Sequence, residues 1–432
     1  MTEGTKGLIF IGDGMGGRPM SEIDGRTTIE AADTPAMDRI AREGACGMMD
    51  PIAPGRAAGS DTSHMALLGY EPERYYRGRG PFEARGVGIE VRPGDVAFRC
   101  NFATVDGRTV VDRRAGRISQ EDDIEQIVAA VRDNIETIED VQVIFKPSVE
   151  HRAALVLRGE GLSHEISEVD PHSPGVEYWE SRPLDDADDP EAAEKTARIL
   201  NEFVGRVHEV LDDLEVNRRR GEIWERQKNG ATDDEEIIMP ANIVLPRGAG
   251  TAVQLEPLKQ RYGLNAAMIV EVDLVRGLGE YLDMNVIEVE GATGGMGTDE
   301  IAIARAVVEA LEDHDFVLAN IKAPDLGGHD GDCEAKIAAI EKVDRAMDHV
   351  LNYLDFSNTT MVITADHATP CSVMDHAGDS LPIAFFGRGT CPDDVSSFGE
   401  RACSRGIMGH IRGMQIMDVL LNMMGRGDKF GA

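Results

Sequence analysis

A chain of 432 residues with 42% hydrophobic content is long enough for two compact domains or one large one, and its composition is that of a folded globular protein. Acidic residues outnumber basic ones 78 to 44, a net charge of -34, which repels nucleic-acid phosphates and anionic lipid and excludes both as partners. No apolar run approaches the length of a membrane span, and six scattered cysteines without a CxxC pair suit a reducing cytoplasm.

Lysine occupies only nine positions. With the acidic excess this reads as adaptation to a salty cytosol, where molar salt shrinks the screening length to about 3 Å and quiets self-repulsion. An anionic substrate then needs a local cluster of arginine, lysine or metal.

In chain order, residues 6–14 (KGLIFIGDG) predict a buried strand ending in a tight turn, with Asp13 at the strand end. The run is too short and wrongly flanked for a signal peptide. Gly14, Gly16 and Gly17 let other groups approach closely. Residues 34–43 predict a helix with proline in its first turn. In residues 54–70, PGRAAGSDTSHMALLGY, Ser60 stands at a loop-to-helix junction, where helix amides favour an arriving phosphate. Ser60 as a simple N-cap remains open, as does His64, one turn on, as a base.

From residue 86 the pattern changes. A hairpin at Asp106-Gly107, a helix over 120–138, strands over 141–145 and 153–157, and an amphipathic helix over 191–214 predict a small α+β domain. Residues 217–234 read as a charged, exposed connector. This region holds the basic candidates Arg85, Arg113, Arg114, His151, Arg152, Arg182 and Arg247, with Asp170 and His172 beside them. Arg152 and Arg247 lead, since each adjoins an apolar strand and a guanidinium holds carboxylate or phosphate bidentately.

The α/β pattern resumes after residue 248, with strands over 268–272 and 286–289 and a helix over 299–311. A buried strand from Phe316 ends near Pro324, and in APDLGGHDGD Asp325 lies at its carboxyl end, with His329 four residues on in a glycine-softened loop. A helix over 334–354 follows. A third buried strand, 360–365, ends in Asp366-His367, and His376 comes nine residues later. A strand over 382–386 and a helix over 413–424 close the chain.

Singly, each aspartate could be a helix cap. Together, three strand ends offer Asp13, Asp325 and Asp366, with His329, His367, His376 and Ser60 around them. Carboxylates mixed with imidazoles suit Mn²⁺ or Zn²⁺, with Co²⁺ or Mg²⁺ as alternatives. Seven such groups fit two metals, which clamp the oxygens of phosphoryl transfer and activate a serine lying between them.

The segments GSDTSHMALLGYEP, EHRAALVLRG, LPRGAG, GHDGD and TADHATPCS resemble the archaeal type of cofactor-independent phosphoglycerate mutase, within the alkaline phosphatase superfamily. The resemblance runs nearly end to end. It implies an α/β fold: an alkaline-phosphatase-like parallel-sheet sandwich domain, residues 1–85 and 248–432, interrupted by a smaller α+β substrate-binding domain, residues 86–247. It implies that Asp325, His329 and His376 hold one metal, that Asp13, Ser60, Asp366 and His367 hold the other, and that Ser60 is transiently phosphorylated. The substrate is then phosphoglycerate, converted between its 3- and 2-isomers in glycolysis and gluconeogenesis without 2,3-bisphosphoglycerate, with Arg152, Arg247, His151, Asp170 and Lys322 as its contacts. The chain departs from the pattern at Gly17, where this type often carries an acid, and at Leu326-Gly327. The rival readings are a metal-dependent phosphatase or mutase acting on another phosphate ester, and a metal-stabilised binding module. Oligomeric state leaves no mark in the sequence.

Overall fold

The computed structural model of the chain describes residues 5–230, 237–427, 429 and 431. Its strands, numbered along the chain, begin with β1 Lys6–Gly12, β2 Ala45–Asp50, β3 Val96–Asp106, β4 Thr109–Asp112, β5 Thr137–Ile138, β6 Val141–Pro147 and β7 Arg152–Arg158. They continue with β8 Ile243–Thr251, β9 Ala266–Ile269, β10 Asn285–Val286, β11 Phe316–Ile321, β12 Thr359–Thr364, β13 Leu381–Gly387 and β14 Gly409–Arg412. The chain divides into two compact units, 1–75 with 255–432, and 76–254.

The first unit is built on an eight-stranded sheet in the order β10-β9-β11-β1-β12-β13-β2-β14. It is parallel except for β13, which runs antiparallel to both β12 and β2. Every residue of β11 and β12 is buried, the continuous apolar pattern of strands covered on both faces. The registers Gly12↔Ile321 and Ile11↔Thr364 make β11, β1 and β12 end level. Asp13, Lys322 and Asp366 are thereby delivered to one carboxyl edge, the edge at which open α/β sheets bind ligands.

The crossover from β11 to β12 includes the helix Cys333–Tyr353, N-capped by Asp332, whose side chain accepts from Ala335 N. Its inward face carries Ala339, Ile340, Val343, Met347 and Val350, the spacing of one helical stripe. The strands expected over 268–272 and 286–289 are shorter than the apolar runs suggest, and β10 is a two-residue edge, a length that offers little to a foreign strand.

The second unit is a six-stranded antiparallel sheet, β4-β3-β7-β6-β5, with β8 on the other side of β3. The helices Glu121–Asn134 and Pro190–Asp212 pack on it around Phe98, Phe102, Phe145, Ile127, Leu200 and Phe203. The unit begins at 76, earlier than residue 86, because the helix Gly80–Gly86 lies against β3: a Cβ on Gly80 would stand 2.0 Å from Ala97 O.

One expectation is overturned here. Residues 217–228 are not an exposed connector; they belong to the helix Glu215–Lys228, and Arg220 within it is 1% exposed. The guanidinium donates to Met239 O (2.8 Å), Gln120 Oε1 (2.6 Å) and Asp123 Oδ2 (2.8 Å), so a residue that reads as solvated anchors the helix through charge-assisted bonds. Residues 231–234 of the expected connector lie outside the described residues. Among the described residues no helix is long and apolar enough to cross a membrane.

Candidate active site

At the carboxyl edge of the first unit, Asp13 follows β1 and Asp366-His367 follow β12. Asp325 and His329 do not sit on a soft loop: residues Ala323–Asp330 form a helix with Pro324 in its first turn, and the i, i+4 spacing puts both side chains on one face. Its glycines serve close packing. A Cβ on Gly327 would lie 2.7 Å from Lys336 N, and one on Gly328 2.3 Å from Thr369 O. At Gly14 (φ +59°) a Cβ would meet Asp325 Oδ1 at 2.5 Å, so the turn after Asp13 admits only glycine.

The acidic and imidazole groups converge. His329 Nε2 lies 3.5 Å from Asp325 Oδ2 and His376 Nε2 3.7 Å from Asp325 Oδ1. His367 Nε2 lies 3.3 Å from Asp366 Oδ2, 3.6 Å from Asp13 Oδ1 and 3.2 Å from Ser60 Oγ. The rings of His367 and His376 stack at 3.7 Å. Two triads result, Asp325–His367–His376 and Asp13–Asp366–His367, each with donor atoms within 4.8 Å of one another.

Hydrogen bonds on the far side of each ring assign the tautomers. His376 Nδ1 donates to Ala58 O (2.8 Å) and His329 Nδ1 to Met374 O (3.1 Å), since a carbonyl only accepts. The hydroxyl of Thr369 donates to Asp325 Oδ1 (2.6 Å) and so accepts from His367 Nδ1 (3.1 Å). All three Nε2 lone pairs therefore face carboxylates, an arrangement that is repulsive without a shared proton or cation.

Burial lowers the pKa of His367 and of His376, the latter helped by the neighbouring His367, which favours neutral, ligating imidazoles. Burial, then the charge of Asp13, pushes Asp366 up to about 6. Its Oδ2 is buried without a hydrogen-bond partner. An orphaned carboxylate oxygen 3.3 Å from the His367 Nε2 lone pair, with two more imidazoles facing Asp325, fits divalent cations well.

Lys322 spans the two triads, its Nζ 2.8 Å from Asp13 Oδ1 and 2.7 Å from Asp325 Oδ2. Burial opposes the charge on both Lys322 and Asp325, but attraction wins: Asp13, then Asp325, raises the amine, and Lys322 holds the Asp325 carboxyl well below the usual range. Asn320, unremarked in the sequence, donates Nδ2 to Asp13 Oδ2 (2.9 Å) and lies 3.1 Å from His64 Nε2. Ser60 opens the helix Ser60–Leu67. His64 is not its base: His64 Nδ1 donates to the Ser60 carbonyl (2.7 Å), which makes it a bracket for the serine backbone.

The second unit holds a basic face. Arg113 binds Asp170 with two bonds of 2.7 and 2.6 Å, and Arg247 Nε lies 3.9 Å from Asp170 Oδ2. His172 Nδ1 is 3.4 Å from both Arg113 Nη2 and Arg247 Nη1. Cross-strand pairs Arg99↔Arg247 and Asn101↔Arg152 put these four side chains on one face of β8, β3 and β7. Burial leads the lowering of the Arg247 pKa. His151 is 4% exposed beside Arg152, and burial lowers its pKa too. The Nε atoms of Arg99, Arg152 and Arg247 are buried without hydrogen-bond partners.

Arg182, by contrast, is exposed and lines a groove with Arg108, Tyr178 and Trp179. Arg99 is the residue that sequence reasoning misses. Its signal is there to be read, an arginine inside the apolar run VAFRCNFA, where only a paired charge survives burial. That pair is Glu83, at 3.3 Å.

The profile of the family described as 2,3-bisphosphoglycerate-independent phosphoglycerate mutase matches residues 41–217. The 2,3-bisphosphoglycerate-independent phosphoglycerate mutase 1 of Methanothermobacter thermautotrophicus is 49% identical to this chain over 99% of it and 100% of the relative. The chain belongs to this family. Among solved structures, the PH0037 protein of Pyrococcus horikoshii superposes on this family member with a TM-score of 0.81 at 36% identity, covering 99% of each chain. The cofactor-independent phosphoglycerate mutase of Thermoplasma acidophilum does so with a TM-score of 0.66 at 34% identity, covering 98% of this chain and all of the other. The fold is thus that of the mutase family, and the chain is an enzyme of the isomerase class. At the departure from the family pattern, Gly17 N donates to Glu400 Oε1 (3.2 Å), so a carboxylate reaches this turn from the far end of the chain.

Proposed function

We propose that the chain interconverts 3-phosphoglycerate and 2-phosphoglycerate in glycolysis and gluconeogenesis, without 2,3-bisphosphoglycerate, by passing the phosphoryl group through Ser60. The observation that carries this reading is Ser60 Oγ, 3.2 Å from His367 Nε2 at the meeting of the two triads. Asp325, His329 and His376 would hold one divalent cation, and Asp13, Ser60, Asp366 and His367 the other. Bound there, the cations supply charge to neutralise phosphoryl oxygens and to lower the pKa of a neighbouring hydroxyl. Mn²⁺ suits the set best, accepting hard carboxylates and imidazoles alike.

Ser60 Oγ attacks phosphorus, and the glycerate oxygen leaves. The isomeric hydroxyl of the same glycerate then attacks the phosphoserine and frees Ser60. Lys322 adds positive charge beside the transferred group. Arg152 and Arg247, in the second unit (residues 86–247 as the substrate-binding segment), hold the glycerate's anionic groups, with His151 beside Arg152. Asp170 aims Arg113 through its two hydrogen bonds and draws Arg247 by charge at 3.9 Å. The segments 1–85 and 248–432 carry the cation ligands, and the enzyme works in a salty cytoplasm.

Chelation followed by Mn²⁺ restores conversion of 3-phosphoglycerate to 2-phosphoglycerate if this reading holds. Steady release of inorganic phosphate with no 2-phosphoglycerate would make the enzyme a phosphatase instead.

A further inference from the structure

Lys336 lies on the Cys333–Tyr353 helix at 0% exposure, one turn before Ala339 and Ile340, where helical spacing calls for an apolar side chain. Its ammonium has three protons, and all three go to backbone carbonyls: Gly14 O at 2.8 Å, Gly16 O at 2.9 Å and Thr369 O at 2.7 Å. No carboxylate forms an ion pair with it among the described residues. Burying an unpaired cation is far costlier than burying a methionine of the same length, so a lysine here answers to something other than packing.

The three carbonyls show what that is. Gly14 and Gly16 belong to the turn that carries Asp13, and Thr369 to the loop that carries Asp366 and His367. Gly14 N donates to Asp366 Oδ1 (3.0 Å), and the Thr369 hydroxyl bonds both Asp325 and His367. On its other side the backbone of Lys336 packs against Gly327 of the helix bearing Asp325 and His329. One side chain and its backbone thus touch all three segments that supply the triads.

We propose that Lys336 is a positioning residue that locks the two cation-binding groups to each other, so that affinity for both divalent cations depends on its three hydrogen bonds. This rests on the two-cation reading above. Residues that orient ligands from behind typically change metal affinity by about 10–100-fold when removed.

The test is a Mn²⁺ titration of chelator-treated full-length protein, with free Mn²⁺ read by electron paramagnetic resonance well below the melting temperature. Wild type takes up two ions. Lys336→Met keeps the stem and removes the donors, and raises the Mn²⁺ dissociation constants about 10–100-fold. Lys336→Gln, neutral but still a donor, loses less and serves if the methionine variant does not fold. Ile340→Ala, buried one turn along the same helix, lowers the melting temperature and keeps wild-type Mn²⁺ affinity. Wild-type affinity in the folded Lys336 variants, or equal loss in Ile340→Ala, overturns the positioning role and leaves the two-cation reading standing. A wild type that binds no Mn²⁺ overturns both.

Discussion

Ser60 deletes cleanly. It opens a helix, packs no core volume, and places one oxygen against His367 Nε2. Ser60→Ala is expected to reduce mutase turnover by about six orders of magnitude, as loss of a serine nucleophile does, and to change stability by no more than about 1 kcal/mol. Steady-state assay and denaturant melts check the pair of outcomes. Arg99 is the opposite case. Arg99→Met strands Glu83 as a buried, unpaired carboxylate and is expected to cost about 3–5 kcal/mol. The double variant Arg99→Met with Glu83→Gln removes both charges and should recover a good part of that loss. A double variant as unstable as the single one would mean that the pair is not the origin of the cost. Arg247→Ala, which leaves the first-unit triads untouched, is expected to raise KM for phosphoglycerate about tenfold or more with metal content unchanged.

At the scale of elements, the Cys333–Tyr353 helix also caps another helix. Asp344 accepts from Met37 N (2.8 Å) and Ala36 N (3.3 Å) at the start of the helix Pro35–Glu43, whose own N-cap Thr34 makes no side-chain cap bond. Burial outweighs these donors and raises the Asp344 carboxyl to about 6. A folded value above the unfolded one means that the proton stabilises the fold. That contribution is complete below the unfolded value and is lost as pH rises through about 6. Asp344→Asn keeps an acceptor without the charge, so its stability relative to wild type should improve by about 1 kcal/mol between pH 5 and pH 8 in denaturant titrations. A constant difference would deny the shift.

Most of these elements are legible in the chain. The runs in β1, β11 and β12 are buried on both faces, and an acid within four residues of each strand end (Asp13, Asp325 and Asp366) marks the active edge. Among the elements that escape, two do so because their composition misleads. Pro324, Gly327 and Gly328 read as a loop, yet the glycines are what let the Ala323–Asp330 helix press against Lys336 and Thr369. The RRRGE stretch reads as solvated, yet Arg220 finds Asp123 and Gln120 nearly a hundred residues away. The basic face is half legible for the same reason, since only the strand registers bring Arg99 opposite Arg247.

For the whole molecule the dominant quantity is the net charge of -34. Its self-repulsion is poorly screened in dilute buffer, and a multiply anionic substrate approaches against the same field. Molar KCl shortens the screening length to about 3 Å while leaving buried contacts such as Lys322 with Asp13 and Asp325 largely intact. Melting temperature and kcat/KM should both rise from dilute buffer to molar KCl, and a flat or falling melting temperature would remove the salt-adaptation reading. The measurement closest to the chemistry is an acid-quenched turnover of the Mn²⁺-loaded enzyme on 3-phosphoglycerate, with no bisphosphoglycerate added, analysed by peptide mass spectrometry. Phosphate on Ser60 together with 2-phosphoglycerate in solution is the expected result. Formation of 2-phosphoglycerate with Ser60 never phosphorylated, or undiminished conversion by Ser60→Ala, would contradict it.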